Sequence, residues 1–361
     1  MQCWRLDDGR QTLVLAARRT RLPEVIYWGA PLPNTENLET LADAHRLDVT
    51  GGMLDENPDL SICPEALRTF PGQPGLILRS QDGTPLMPKF CYDSEEASDQ
   101  SLALTYADTD NGLTYTARIA LDPETHVLTL TSEINAATPV HLHWLSAPVL
   151  PAPQNSSQMI DVSGRWCGEF QLNKTAWSPG IRYRENRTGR TGHEHFPALI
   201  VLGEGATNTQ GEAWGFHYGW SGGHRMVAEE LPDGRRQIPF GHAARLEPAP
   251  QTHFKTAPLY AVYSSDGLNG VAVSYQRQVR DRSVTWPKGD RPRPVQYNCW
   301  EDVYFVHNRD VLEDIADRAA QLGAGRFVLA GGGFGNGDAA TRSLSDWEVD
   351  PRKYPEGLHP L

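Results

Sequence analysis

Leu113, Tyr115, Ala117, Ile119 and Leu121 are apolar and alternate with Thr114, Thr116 and Arg118. A period of two residues suits a strand with one face in a core and the other toward water; a helix would scatter the same residues around its axis. The run stops at Asp122-Pro123-Glu124-Thr125, four residues that favour turns. A second run, rich in Thr and β-branched side chains, extends from Val127 to Ile134. The pattern recurs in Leu259-Tyr260-Ala261-Val262-Tyr263, the turn-like Asp266-Gly267-Leu268-Asn269-Gly270, and Val271 to Tyr275, which read as another hairpin. Hairpins without long amphipathic helices predict a mainly β protein built on a large antiparallel sandwich over residues 1–285. No fixed-period repeat points to a propeller.

The chain can build a core: 39% of its 361 residues are hydrophobic, including 10 Trp, 12 Tyr and 10 Phe. Its 33 Gly and 27 Pro follow no short period, which excludes collagen-like and low-complexity classes. A formal charge of -12 disfavours general nucleic-acid binding, because an acidic surface repels phosphate backbones. Cys3, Cys63, Cys91, Cys167 and Cys299 are scattered, odd in number and without a C-x-x-C spacing. They fit reduced thiols in a cytoplasmic protein better than a disulfide framework or a zinc site. The residues after Met1 carry early acids and no apolar signal segment, and no run approaches the roughly 18 apolar residues of a membrane span. Sequons at Asn155, Asn173 and Asn186 are therefore read as chance. No cofactor and no metal is expected.

The pattern changes near Pro287. The segment from Trp286 to Pro294 is Pro-rich and charged, the composition of a linker over residues 286–294. Val295 to Trp300 then reads as a strand, and Asp310 with Glu313 as a capping box opening a helix from Val311 to Leu322. Leu312, Ile315, Ala316, Ala319 and Leu322 would form its apolar stripe, and Gly323 its stop. Arg326 to Ala330 reads as a second, buried strand. The result is one β-α-β unit, the opening of a parallel α/β domain over residues 295–361.

Pro294-Val295-Gln296-Tyr297-Asn298-Cys299-Trp300-Glu301, followed by Tyr304 and Phe305, resembles the first barrel strand of glycoside hydrolase family 36, the α-galactosidases. Phe327-Val328-Leu329 resembles its second strand. Ser343-Leu344-Ser345-Asp346-Trp347 and Asp350-Pro351-Arg352-Lys353-Tyr354-Pro355-Glu356-Gly357-Leu358 resemble two further family segments. Upstream, Glu185-Asn186-Arg187, Gly189-Arg190-Thr191, His193-Glu194-His195-Phe196-Pro197 and Trp220-Ser221-Gly222 resemble its β-supersandwich. The resemblance implies a supersandwich followed by the first β-α-β unit of a (β/α)8 barrel, and retaining hydrolysis of terminal α-linked galactose, as in raffinose or melibiose. It implies Trp300 and Trp166 as sugar-contacting residues, the latter across a subunit interface in many members, and a homo-oligomer, commonly a tetramer.

Retaining hydrolysis needs two carboxyl groups about 5–5.5 Å apart. The family supplies them from later barrel strands, and no Asp or Glu in these 361 residues matches either motif. The expectation for the isolated chain is therefore inactivity and no assignable catalytic residue. Where the family carries Asp-Asp-Gly-Trp after strand two, this sequence has Ala330-Gly331-Gly332-Gly333, then Phe334 and Gly335 in register. Two lost carboxylate-hydroxyl bonds would weaken galactose binding by about 3–6 kcal/mol if additive.

Other readings fit the same residues less well. The glycine run from Gly331 to Gly337 matches neither G-x-G-x-x-G nor a P-loop. His193 and His195 would share a strand face without a third metal ligand, and His141 and His143 repeat that spacing. Trp300 would read as core packing without the family pattern and reads as a sugar platform with it, and Asp346, Trp347 and Asp350 read as loop-fixing residues. Three functions remain: an α-galactosidase, a non-catalytic galactoside-binding or assembly module, and a remnant with no stable fold.

Overall fold

The computed structural model describes residues 1–46, 57–286, 292–335 and 347–361. The chain divides into two compact units, Met1–Val284 and Thr285–Leu361. Most of the sequence-derived linker, together with Ser343 to Asp346 and Gly337, lies outside the described residues.

Every pairing between named strands of the larger unit is antiparallel, and its organiser is the 19-residue strand Val127–Leu145. Four strands pair with it: Leu113–Asp122, Leu259–Ser264 and Gln251–Lys255 along its first half, with Gln251 reaching Val140, and Leu76–Arg79 toward its end. The alternating run reads out as expected: Leu113, Tyr115, Ala117, Ile119 and Leu121 are all buried. Among the described residues this sheet has 12 strands, beside a five-stranded sheet around His224–Glu230 and a three-stranded sheet of Gln2–Asp7, Thr12–Ala17 and Glu24–Gly29.

One hydrophobic cluster joins the inner faces of all three sheets. Leu13 and Leu15 come from the first, Tyr115, Leu128 and Phe216 from the second, Met226 and Phe240 from the third. Trp28 meets Phe216 edge-on at 5.5 Å, and its indole N–H donates to Gln11 at 2.9 Å. The buried Tyr115 hydroxyl is paired too, 2.9 Å from Ser132 Oγ.

The second hairpin expected from sequence is not formed. Residues Gly267–Gln278 make a helix. Val271, Val273 and Tyr275 suggested period two, yet Val271, Ser274 and Gln278 are the buried positions and Val273 is 42% exposed. The helix lies on Gly215, where an added Cβ would come within 2.6 Å of Val271 Cγ1. Tyr275 seals the contact by donating to the Tyr260 carbonyl. Tertiary packing, available only once the sheet exists, decides a segment whose local pattern is ambiguous.

In the smaller unit Gln296–Asn298 pairs in parallel with Arg326–Val328, joined by the helix Arg309–Gln321, so the β-α-β unit is present. Four details differ from the sequence reading. The first strand ends at Asn298, and Trp300 begins the short helix Trp300–Val303. The cap of the longer helix is Asn308, whose side chain accepts from the Val311 N–H, because the helix starts two residues before Val311. Leu312 and Ala319 are buried, but Leu322 is 88% exposed, lying past the last helical residue. The second strand is half-buried rather than buried: Phe327 stacks on Tyr297 at 5.8 Å. Among the described residues no helix is long and apolar enough to cross a membrane.

His224 is wholly buried. Burial first, then the nearby His195 and His217, push its pKa down from 6.5 to about 4, against weaker support from the Gly222 carbonyl and Glu185. The folded chain therefore holds fewer protons than the unfolded chain between these values, and stability falls as pH drops through them. Urea unfolding at pH 7 and pH 4.5 should show a loss of about 2–3 kcal/mol from this group, largely removed in His224→Asn. An unchanged pH dependence in the variant would refute the assignment.

Candidate functional site

The two parallel strands of the smaller unit end side by side, and their C-terminal loops meet. After Asn298 the chain turns as the Trp300 N–H donates to the Asn298 side-chain oxygen at 3.0 Å. The Trp300 ring is half-buried, with Tyr304 and Phe305 edge-on at 5.4 and 5.0 Å. After Val328, Ala330 leads into Gly331, whose φ of +69° is one that glycine adopts freely. A Cβ at Gly331 would lie 2.7 Å from Trp300 Cζ3. Trp300, Ala330 and Gly331, proposed separately from sequence, therefore form one surface, and its residues at 330 and 331 offer no side-chain hydrogen-bonding group.

The loop is held from beneath. A Cβ at Gly332 would fall 2.6 Å from both His307 Nε2 and the Tyr304 carbonyl oxygen. His307 Nε2 donates to that carbonyl at 3.1 Å, which leaves Nδ1 to accept from the Tyr354 hydroxyl at 2.7 Å. Burial lowers the pKa of His307, favouring this neutral form, and burial raises Tyr354 to about 12. Lys353 Nζ donates to the carbonyls of Phe305 and Gly332, each at 2.8 Å, and ties the two loops together. The Asp350 N–H donates to the Gly333 carbonyl. Its buried carboxylate accepts from the Arg352 guanidinium at 2.7 and 3.0 Å, which holds its pKa down at about 2. Asp350 thus fixes a loop. Trp347 packs on Phe334 at 5.3 Å. Sequence reasoning missed His307, for which the only local signal was its position just before the helix cap.

Trp166 belongs to the larger unit and forms, with Cys167, the tip between the paired strands Ser156–Arg165 and Gly168–Ala176. It is 76% exposed, with Phe170 and Leu172 exposed behind it. His193, Glu194 and His195 lie in an irregular segment before the strand Ala198–Gly203, so the two imidazoles do not share a strand face. Among the described residues no group of three or more His, Cys, Asp or Glu could hold a metal ion.

With this geometry in view, known proteins give a consistent match. Residues 21–246 match the glycosyl hydrolase family 36 N-terminal domain, and residues 253–361 match melibiase. An α-galactosidase of Escherichia coli is 34% identical over 373 aligned residues, covering 99% of this chain and 50% of that protein. α-Galactosidase AgaA of Geobacillus stearothermophilus is 30% identical, covering 81% of this chain and 40% of that protein. Among solved structures, the galactosidase domain of an α-galactosidase-sucrose kinase superposes with a TM-score of 0.87 at 20% identity, over 99% of this chain and 54% of that one. α-Galactosidase AgaB of Geobacillus stearothermophilus gives 0.83 at 25% identity, over 99% and 53%. The chain spans about half the length of the relatives it matches, or less.

The double anchor of Lys353 gives a direct test of the loop. Lys353→Met removes two charge-assisted bonds and should destabilise the smaller unit by about 1–2 kcal/mol, the partly open site reducing the full value. Hydrogen exchange should quicken at residues 332–334, and unchanged protection there would contradict the anchoring role.

Proposed function

The chain belongs to glycosyl hydrolase family 36, and we propose that the protein is an α-galactosidase in which Trp300 and the 330–331 loop form part of the galactose site. What supports this reading is that Trp300 and Gly331 meet beyond the C-terminal ends of two parallel strands, where barrel enzymes assemble their sites. An indole there offers an apolar face to the apolar face of galactose. The substrates would be oligosaccharides ending in α-linked galactose, of the raffinose or melibiose kind. Residues 330 and 331 bring no carboxylate, so this wall holds the sugar rather than performing acid-base chemistry.

A homo-oligomer is part of the proposal. Trp166, Phe170 and Leu172 are 76%, 62% and 72% exposed, an apolar surface of the kind that a partner subunit covers. A cytoplasmic location is supported by the five cysteines, all of them free. At the Asn186 sequon the side chain is buried and accepts from Thr188, a poor acceptor for glycan.

One observation favours a second reading, a non-catalytic galactoside-binding or assembly module. An acid at position 331 would have to displace the Trp300 ring and accept a positive φ. Spectrophotometric assay with aryl α- and β-galactosides, beside calorimetry with methyl α-galactoside and methyl α-glucoside, separates the readings. Turnover of the α-galactoside supports the enzyme; galactoside-selective binding without turnover supports the module; equal or absent binding of both sugars contradicts a galactose site. Ala330→Asp should tighten galactoside binding about tenfold by restoring one charge-assisted bond. Gly331→Asp should gain nothing and lose about 1–3 kcal/mol of stability to strain.

A further inference from the structure

A cavity of about 470 Å³ opens on the larger unit, among strands that the sugar-site reading does not use. It is lined by His143, Trp144, Arg187, Arg225 and Arg245, with Ile77 at its edge, and none of the lining residues is acidic. Arg225 is wedged between two rings, 5.4 Å from the Trp144 centroid and 4.9 Å from that of Tyr183, a cation–π arrangement that fixes its fork. One carboxylate stands behind the cluster. Glu185 accepts from Arg225 at 3.1 Å, Arg187 at 3.3 Å, the Ala244 N–H at 3.1 Å and the Tyr183 hydroxyl at 2.5 Å. Three guanidinium groups against one carboxylate leave two positive charges in excess, in a chain of formal charge -12.

The donors are not used up. Among the described residues the Arg245 side chain makes no hydrogen bond or ion pair, although its backbone is fixed at a φ of +62° with its N–H donating to the His143 carbonyl. Trp144 is 2% exposed, and its indole Nε1 has no hydrogen-bond partner; Arg225 Nε is likewise buried and unpartnered. The charge excess matches a dianion, and paired guanidinium forks match the oxygens of a phosphoryl group. The volume exceeds what a lone phosphate fills and falls within the range of small-molecule sites.

We propose that this cavity binds a phosphoryl dianion, as inorganic phosphate or the head of a small phosphate ester, held by Arg187, Arg225 and Arg245. The test is calorimetry of the 361-residue chain with inorganic phosphate and glycerol 3-phosphate, with glycerol and sodium chloride as controls. Saturable one-site binding of either phosphate is expected, the tighter of the two identifying free anion or ester. Arg245→Gln should weaken it at least tenfold and Arg245→Lys by less, because a lysine keeps the charge but not the fork. Arg10→Gln, which removes an exposed guanidinium elsewhere, should leave it unchanged. Thermal unfolding of each variant establishes that the fold is retained. Absence of saturable binding, insensitivity to both Arg245 variants, or equal weakening in Arg10→Gln would overturn the proposal.

Discussion

Pairing along Val127–Leu145 is the interaction on which the larger unit depends. Its first half aligns residue for residue with Leu113–Asp122, from Leu113 opposite Ala136 to Asp122 opposite Val127. A slip of one residue would turn Tyr115, Ile119, Leu128 and Leu130 from core to solvent, so the hydrophobic pattern itself enforces the register. The far end of the same strand carries His143 and Trp144 to the arginine-lined cavity. Core and cavity are therefore two consequences of one piece of backbone.

The smaller unit rests on close approach rather than burial. Glycines at 331 and 332 let the loop after the second strand touch Trp300, His307 and the Tyr304 carbonyl, distances that any side chain would disturb. The support is polar: Lys353 and Asp350 hold the loop through its carbonyls, and His307 with Tyr354 fills the space below. Gly331 lies close against the Trp300 indole, and with Ala330 it makes an apolar wall where the family resemblance implied carboxylates.

What could be read from sequence was whatever is written in short periods. Leu113 to Leu121 announced a strand, and the β-α-β order announced a parallel pair, because burial of one face leaves a local pattern. The helix Gly267–Gln278 escaped because Val271, Val273 and Tyr275 alternate by chance, and only contact with Gly215 selects the helix. The cap at Asn308 was misassigned to Asp310 because both residue types cap, and position within two residues is set by packing of Leu312. The site was legible only as separate residues. That Trp300 and Gly331 touch, or that Arg187, Arg225 and Arg245 converge on Trp144, follows from strand neighbours far apart in the chain.

The central claim is that galactose rests on Trp300 beside a loop that offers it no acid. A crystal of the protein soaked in galactose tests this most directly. The account predicts a sugar ring stacked on the Trp300 indole, with no side-chain hydrogen bond from Ala330 or Gly331. Well-defined galactose at another site, with the Trp300 ring uncovered, would contradict it.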